Sequence, residues 1–183
     1  ATPPELIPRD ALFGNPERAS VRISPDGKYL SWVAPLDGVL NVWVAPVDAP
    51  DKARAITKDT ARGIRSYYWT YHSDTLLYLR DTGGDEDFHL YAVNLSDGSS
   101  KDLTPFKKTN AEVYGISDQH PDAIMVGMND RDAKWHDLYK VDLASGTRTL
   151  VQKNTDSLDS YLLDGNYQLR YATPVSYTHL TLP

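Results

Sequence analysis

The chain has 183 residues, a formal net charge of −6, 40% hydrophobic and 24% charged residues, and no cysteine. That balance belongs to a folded domain rather than a disordered chain, its acidity speaks against a phosphate-backbone partner, and the missing thiols exclude a disulfide framework and thiolate metal sites. No apolar run approaches the roughly 18 residues of a membrane helix, so neither nucleic acid nor a membrane is an expected partner.

The opening Ala1-Thr2-Pro3-Pro4-Glu5 lacks an initiator Met. It reads as an end left by leader cleavage or by cloning, and the expected location is periplasmic or secreted, with the cytoplasm as the alternative. Residues 1–19 are expected to form an N-terminal extension. Within it Pro8 to Phe13 predicts one helical turn, ended by Gly14-Asn15-Pro16. Leu6, Ile7, Leu12 and Phe13 make that segment apolar enough to dock on something.

From Ile23 onward a block recurs. Ile23-Ser24-Pro25-Asp26-Gly27-Lys28-Tyr29-Leu30 opens the first copy, and Asn41-Val42-Trp43-Val44 continues it. Ile23 to Trp69 is 46 residues, and Trp43 to Tyr91 and Tyr91 to Tyr139 are 48 each. Ser24-Pro25-Asp26-Gly27 predicts a turn: Pro presets φ, Asp bonds back to the local backbone, and Gly takes a positive φ without strain. Alternating apolar positions at Leu30, Trp32 and Ala34 predict the strand that follows, and Val39–Val44 the next one. The second copy centres on a loop from Asp81 to Asp87 and the third on a loop from Asn129 to Lys134. Hairpin turns are expected at Asn94-Leu95-Ser96-Asp97-Gly98 and Ala144-Ser145-Gly146. Asp164-Gly165 opens a fourth copy.

About four strands per repeat of this length is the pattern of a β-propeller. The expected fold is all-β, an incomplete β-propeller of about three four-stranded blades plus the start of a fourth. The blades fall at about 20–58, 64–106 and 112–153, and the start of the fourth at 158–172. Propellers typically close with about 4–8 blades. A bare blade face of roughly 600 Å² would forgo about 15 kcal/mol of burial, as much as the net stability of a typical domain. The piece is therefore expected not to be autonomous. Residues 173–183, ending Val175-Ser176-Tyr177-Thr178-His179-Leu180-Thr181-Leu182-Pro183, break the pattern and read as a non-native tail.

Ile7 to Glu17, followed by the Ile23–Leu30 turn, resembles the N-terminus of prolyl oligopeptidase family serine peptidases. The likeness is to the bacterial acylaminoacyl-peptidase or dipeptidyl-peptidase-like branch. Gly84-Asp85-Glu86-Asp87-Phe88-His89-Leu90-Tyr91 and Asp102-Leu103-Thr104-Pro105 match the second blade of that branch, and the resemblance covers residues 7 to about 172. It implies a propeller over the mouth of an α/β-hydrolase domain that carries a Ser-Asp-His triad. The propeller would limit which peptides reach the triad. The expected partners are that hydrolase domain, absent from this chain, and the peptide substrates of the parent enzyme. The nucleophile elbow Gly-x-Ser-x-Gly is missing. Gly115-Ile116-Ser117-Asp118-Gln119 comes nearest, lacks the closing Gly, and reads as the end of a blade's first strand. No catalytic residue, cofactor or metal is assigned, and no substrate-binding residue is fixed. The alternative is a periplasmic propeller serving as a binding or scaffold module without enzymatic activity.

Four other features carry residues capable of chemistry. Asp85-Glu86-Asp87 lacks the spacing of a calcium loop and reads as a solvated turn that contacts a neighbouring domain. His72, His89, His120, His136 and His179 lack zinc-ligand spacing. Arg62, Arg65 and Tyr67-Tyr68-Trp69-Tyr71 offer a peptide-binding wall or simply the first strand of the second blade. Asn94-Leu95-Ser96 is a formal glycosylation sequon.

Overall fold

The computed structural model describes residues 6–175. It divides into two compact units, Ala1–Tyr67 and Tyr68–Pro183.

In the first unit a short helix, α1 (Arg9–Phe13), precedes an antiparallel sheet of β1 (Ala19–Ile23), β2 (Tyr29–Leu36), β3 (Val39–Pro46) and β4 (Arg54–Ala55), in that order. The Ser-Pro-Asp-Gly turn joins β1 to β2 as its residues dictate. Asp26 Oδ1 accepts from Ser24 Oγ at 2.6 Å and from the Lys28 amide at 3.2 Å, while Gly27 takes φ +74°. Trp32, Ala34 and Ala45 form the apolar centre of the sheet. Tyr67 is buried, and its hydroxyl donates to Ser20 O at 2.6 Å. Gly63 is needed where it stands: a Cβ there would lie 3.0 Å from the Leu40 backbone, at φ +81°. Helix α1 forms where expected, but Leu12 and Phe13 stay exposed.

The second unit repeats the plan. One sheet has the order β5 (Tyr67–Trp69), β6 (Thr75–Arg80), β7 (His89–Asn94), β8 (Ser100–Asp102). The next has β9 (Ala111–Ile116), β10 (Ala123–Asp132), β11 (Trp135–Asp142), β12 (Arg148–Gln152), and a hairpin of β13 (Leu158–Leu163) and β14 (Leu169–Pro174) follows. The fold is all-β, an incomplete β-propeller with three four-stranded sheets and a two-stranded fourth among the described residues. Strand β10 is buried on both faces, which is why it reads as an unbroken apolar run rather than an alternation. Ile124, Val126 and Met128 pack with Leu77, Leu90 and Leu103 of the preceding sheet. Met125, between them, packs with Tyr161 and Tyr167 of the hairpin.

Two details depart from the sequence reading. The loop expected at 129–134 is mostly strand: β10 runs on to Asp132, which pairs with Trp135 after a register shift beyond Met128. Arg131 explains the extension, because it grips Asp137 of β11 across the hairpin at 2.6 and 2.7 Å. At the fourth repeat the positive φ falls on Tyr167 (+61°) rather than on Gly165. Gly165 packs close to its neighbour instead: a Cβ there would meet Gln119 Nε2 at 3.0 Å, and that side chain would have to shift. Of the expected tail, 176–183 lies outside the described residues. Thr173 and Pro174 end β14, and the Val175 amide donates to Ser157 O at 2.9 Å.

Candidate functional site

Each four-stranded sheet has one position, at or near the start of its third strand, that ties down the fourth strand or the chain leaving it. Asn41, His89 and Asp137 hold it, 48 residues apart. Asn41 Oδ1 accepts from the Asp59 amide at 2.7 Å and from Thr57 Oγ1 at 2.8 Å. His89 Nδ1 bonds Asp102 Oδ2 at 2.8 Å. Asp137 Oδ1 accepts from the Asn154 amide at 2.7 Å while both of its oxygens hold Arg131. His89 thus performs a fastening task that an amide and a carboxylate perform elsewhere. Burial pushes the Asp137 carboxyl up, but the bonds from Arg131 and Asn154 outweigh it and hold the group below the ordinary range.

His72 and His120 are held by side-chain contacts, while the buried Nε2 of His136 has no hydrogen-bond partner among the described residues. His72 Nε2 meets Asp122 Oδ1 at 2.7 Å, joining the β5–β6 and β9–β10 turns. His120 stacks on Tyr167 at 5.0 Å between ring centroids. The His136 carbonyl accepts from Tyr161 Oη at 2.7 Å. His179 lies outside the described residues. Ser117 is buried, its hydroxyl donates to Gly165 O at 2.5 Å, and its amide donates to Tyr167 Oη at 3.0 Å. It is a fastener between sheets with no histidine in hydrogen-bond contact. Burial pushes the Tyr167 phenol up to about 12, so that hydroxyl stays neutral and keeps its donated bond to Ala123 O.

Asp85-Glu86-Asp87 forms a turn that largely satisfies itself. Asp85 Oδ1 accepts from the Thr82 and Asp87 amides, each at 3.2 Å, and Glu86 sits at φ +61°. No group of three or more metal-ligating side chains converges among the described residues. Of the aromatic wall, Tyr67 and Trp69 are buried core, while Tyr71, Arg62 and Arg65 are exposed. Asn94 Oδ1 is spent on the Ser96 amide and hydroxyl at 2.7 and 2.6 Å, closing its turn.

What remains open is a groove of about 420 Å³ on the third sheet, lined by Gln119, His120, Asp122, Lys140, Asp142 and Thr149 among others. It is polar and carries both signs of charge. Sequence reasoning missed Lys140 because it lies mid-strand with no motif around it.

Over 168 residues, 92% of its length, the chain is 71% identical to dipeptidyl aminopeptidase BIII of Pseudoxanthomonas mexicana. The chain belongs to the prolyl oligopeptidase family. It is a propeller segment of that family, and it spans 24% of the length of this relative. Dipeptidyl peptidase family member 6 of Caenorhabditis elegans is 27% identical over 176 residues and is likewise matched over 24% of its length. No protein-family model matches the chain. The β-propeller domain of the trilobed protease from Pyrococcus furiosus superposes with a TM-score of 0.54 at 19% identity, over 78% of this chain and 45% of that one. TolB from Acinetobacter baumannii superposes with 0.58 at 15% identity, over 87% of this chain and 39% of its own. At such identities these two likenesses show the fold alone.

Proposed function

We propose that this chain is the propeller part of a serine peptidase that releases dipeptides from the N-termini of peptides. The propeller restricts which peptides reach a hydrolase domain carried elsewhere in the same protein. The 71% identity to a dipeptidyl aminopeptidase supports the reading. A second relative named for dipeptidyl peptidases supports it too. The contacts of the described residues fit that role: His72, His89 and His120 are held by side-chain contacts, and Ser117 serves as a fastener.

The full-length protein tests it. It should react covalently with a fluorophosphonate and hydrolyse dipeptidyl-p-nitroanilides in preference to aminoacyl ones. kcat/KM should fall steeply as the peptide lengthens. The 183-residue chain alone should do neither. The alternative is a binding module without hydrolase chemistry. A full-length protein that resists the fluorophosphonate and turns over no peptide would select it.

A further inference from the structure

The chain is acidic as a whole, with a formal net charge of −6, yet one stretch of the first unit reverses that sign. Residues 52–65 carry Lys52, Arg54, Lys58, Arg62 and Arg65, all exposed, and their one carboxylate, Asp59, is buried. Lys58, Arg62 and Arg65 lie on the connection that leaves β4. That connection is pinned from within. The Asn41 side chain accepts from the Asp59 amide at 2.7 Å and donates to the Asp59 carbonyl at 2.9 Å. Asp59 Oδ2 accepts from the Gly63 amide at 2.6 Å and closes the turn between them. Ile56 and Ile64 are buried at either end, and their amides donate to Val42 O at 2.8 Å and Leu40 O at 2.7 Å. The single carboxylate of the stretch is thus turned inward to build the loop, and the cations are left outward. Neither Lys58 nor Arg65 has an ion-pair partner among the described residues.

We propose that this loop recognises acidic polypeptide, with Arg62 and Arg65 as bidentate partners for Asp or Glu side chains and Lys58 as a point charge. A loop held so firmly loses little freedom when a ligand docks, and like charges gathered on it without a counter-charge are relieved by an external anion. A short acidic segment fits better than a nucleic-acid backbone or an anionic membrane. Five cations against one carboxylate here leave −10 on the rest of the chain, which repels a broad anionic surface, whereas a peptide needs to meet the loop alone. For the proposed peptidase, peptides that carry Asp or Glu are then the preferred class. That such a peptide is a substrate rests on that reading of the chain; that it is acidic rests on the loop.

The test uses the full-length protein and peptides of one length with the same N-terminal dipeptide, bearing Glu, Gln or Lys at the positions that follow. At low ionic strength, fluorescence anisotropy should show the Glu peptide bound about tenfold more tightly than the Gln peptide, a difference that salt erases. kcat/KM should follow the same order. Arg62→Glu combined with Arg65→Glu should abolish the preference for Glu and confer one for Lys, a reversal that a merely structural role would not produce. Lys107→Glu, at an exposed lysine outside the loop, should leave the preference as it was. Equal binding of the Glu and Gln peptides, or a preference unmoved by the double reversal, would overturn the inference. Binding of anionic phospholipid vesicles without binding of the Glu peptide would assign the loop to a membrane surface and overturn it too. Binding of the Glu peptide by a protein that resists the fluorophosphonate and cleaves nothing would keep this inference and remove the peptidase reading.

Discussion

Asp137 has almost no contact with water, and its charge survives there because Arg131 holds both oxygens and the Asn154 amide adds a third bond. Removing the cation leaves a buried carboxylate uncompensated. Arg131→Met should therefore lower the Tm of the full-length protein. The pH dependence follows in sign. The folded carboxyl titrates below its ordinary value of 3.8, so its contribution is complete above that value and is lost as pH falls through the folded one. Asp137→Asn should flatten the acid limb of the stability curve while leaving the neutral-pH slope unchanged. Asp26 gives a cleaner single-group test. Its carboxyl is lowered to about 2, first by the Ser24 hydroxyl and then by the Lys28 amide. Ser24→Ala should return it toward 3.8, followed by NMR titration, and an unmoved value would rule out the hydroxyl as the cause.

Strand β10 carries the packing of the second unit, and its glycine sets a limit on it. A Cβ on Gly127 would lie 2.5 Å from Tyr114 Cε2. Tyr114 would have to leave its edge contact with Tyr161, 5.3 Å between centroids, and its bond to Glu112 at 2.9 Å. Gly127→Ala should destabilise by about 1–3 kcal/mol, the usual cost of overpacking, and Tyr114→Leu should relieve part of it. The elements differ in how legible they were. Ser24-Pro25-Asp26-Gly27 was readable because four adjacent residues encode the turn, and the structure makes it with their own side chains. The extension of β10 was not, because Asn129 to Lys134 is polar except for Ala133, and it is bonds from Arg131 to Asp137 and from Arg148 to Asp130 that tie it to the sheet. Gly165 looked like a second Gly27, yet its close neighbour is Gln119, 46 residues away. The groove was invisible for a related reason. Lys140 lies mid-strand and joins Gln119, His120 and Asp122 only through the fold, and no local pattern records that.

The described molecule leaves apolar side chains bare at both ends of its repeat. On β1 Val21 and Ile23 are 62% and 57% exposed, and on the last hairpin the paired Leu162 and Tyr171 are 60% and 72% exposed. The 183-residue chain purified alone should therefore associate, its mass by light scattering rising with concentration. Leu162→Glu combined with Tyr171→Glu should lower that mass. A concentration-independent monomer with a sharp, reversible melt would refute this expectation. The last strand of each sheet carries a different consequence. β4 has two residues, and β8 has three with Lys101 at its middle. Edges so short and so charged offer a passing chain almost no ladder to copy, a recognised defence against amyloid-like pairing. β12, at five residues and bearing Leu150 and Val151, is the one last strand of a four-stranded sheet here without that defence. Misassembly should begin there.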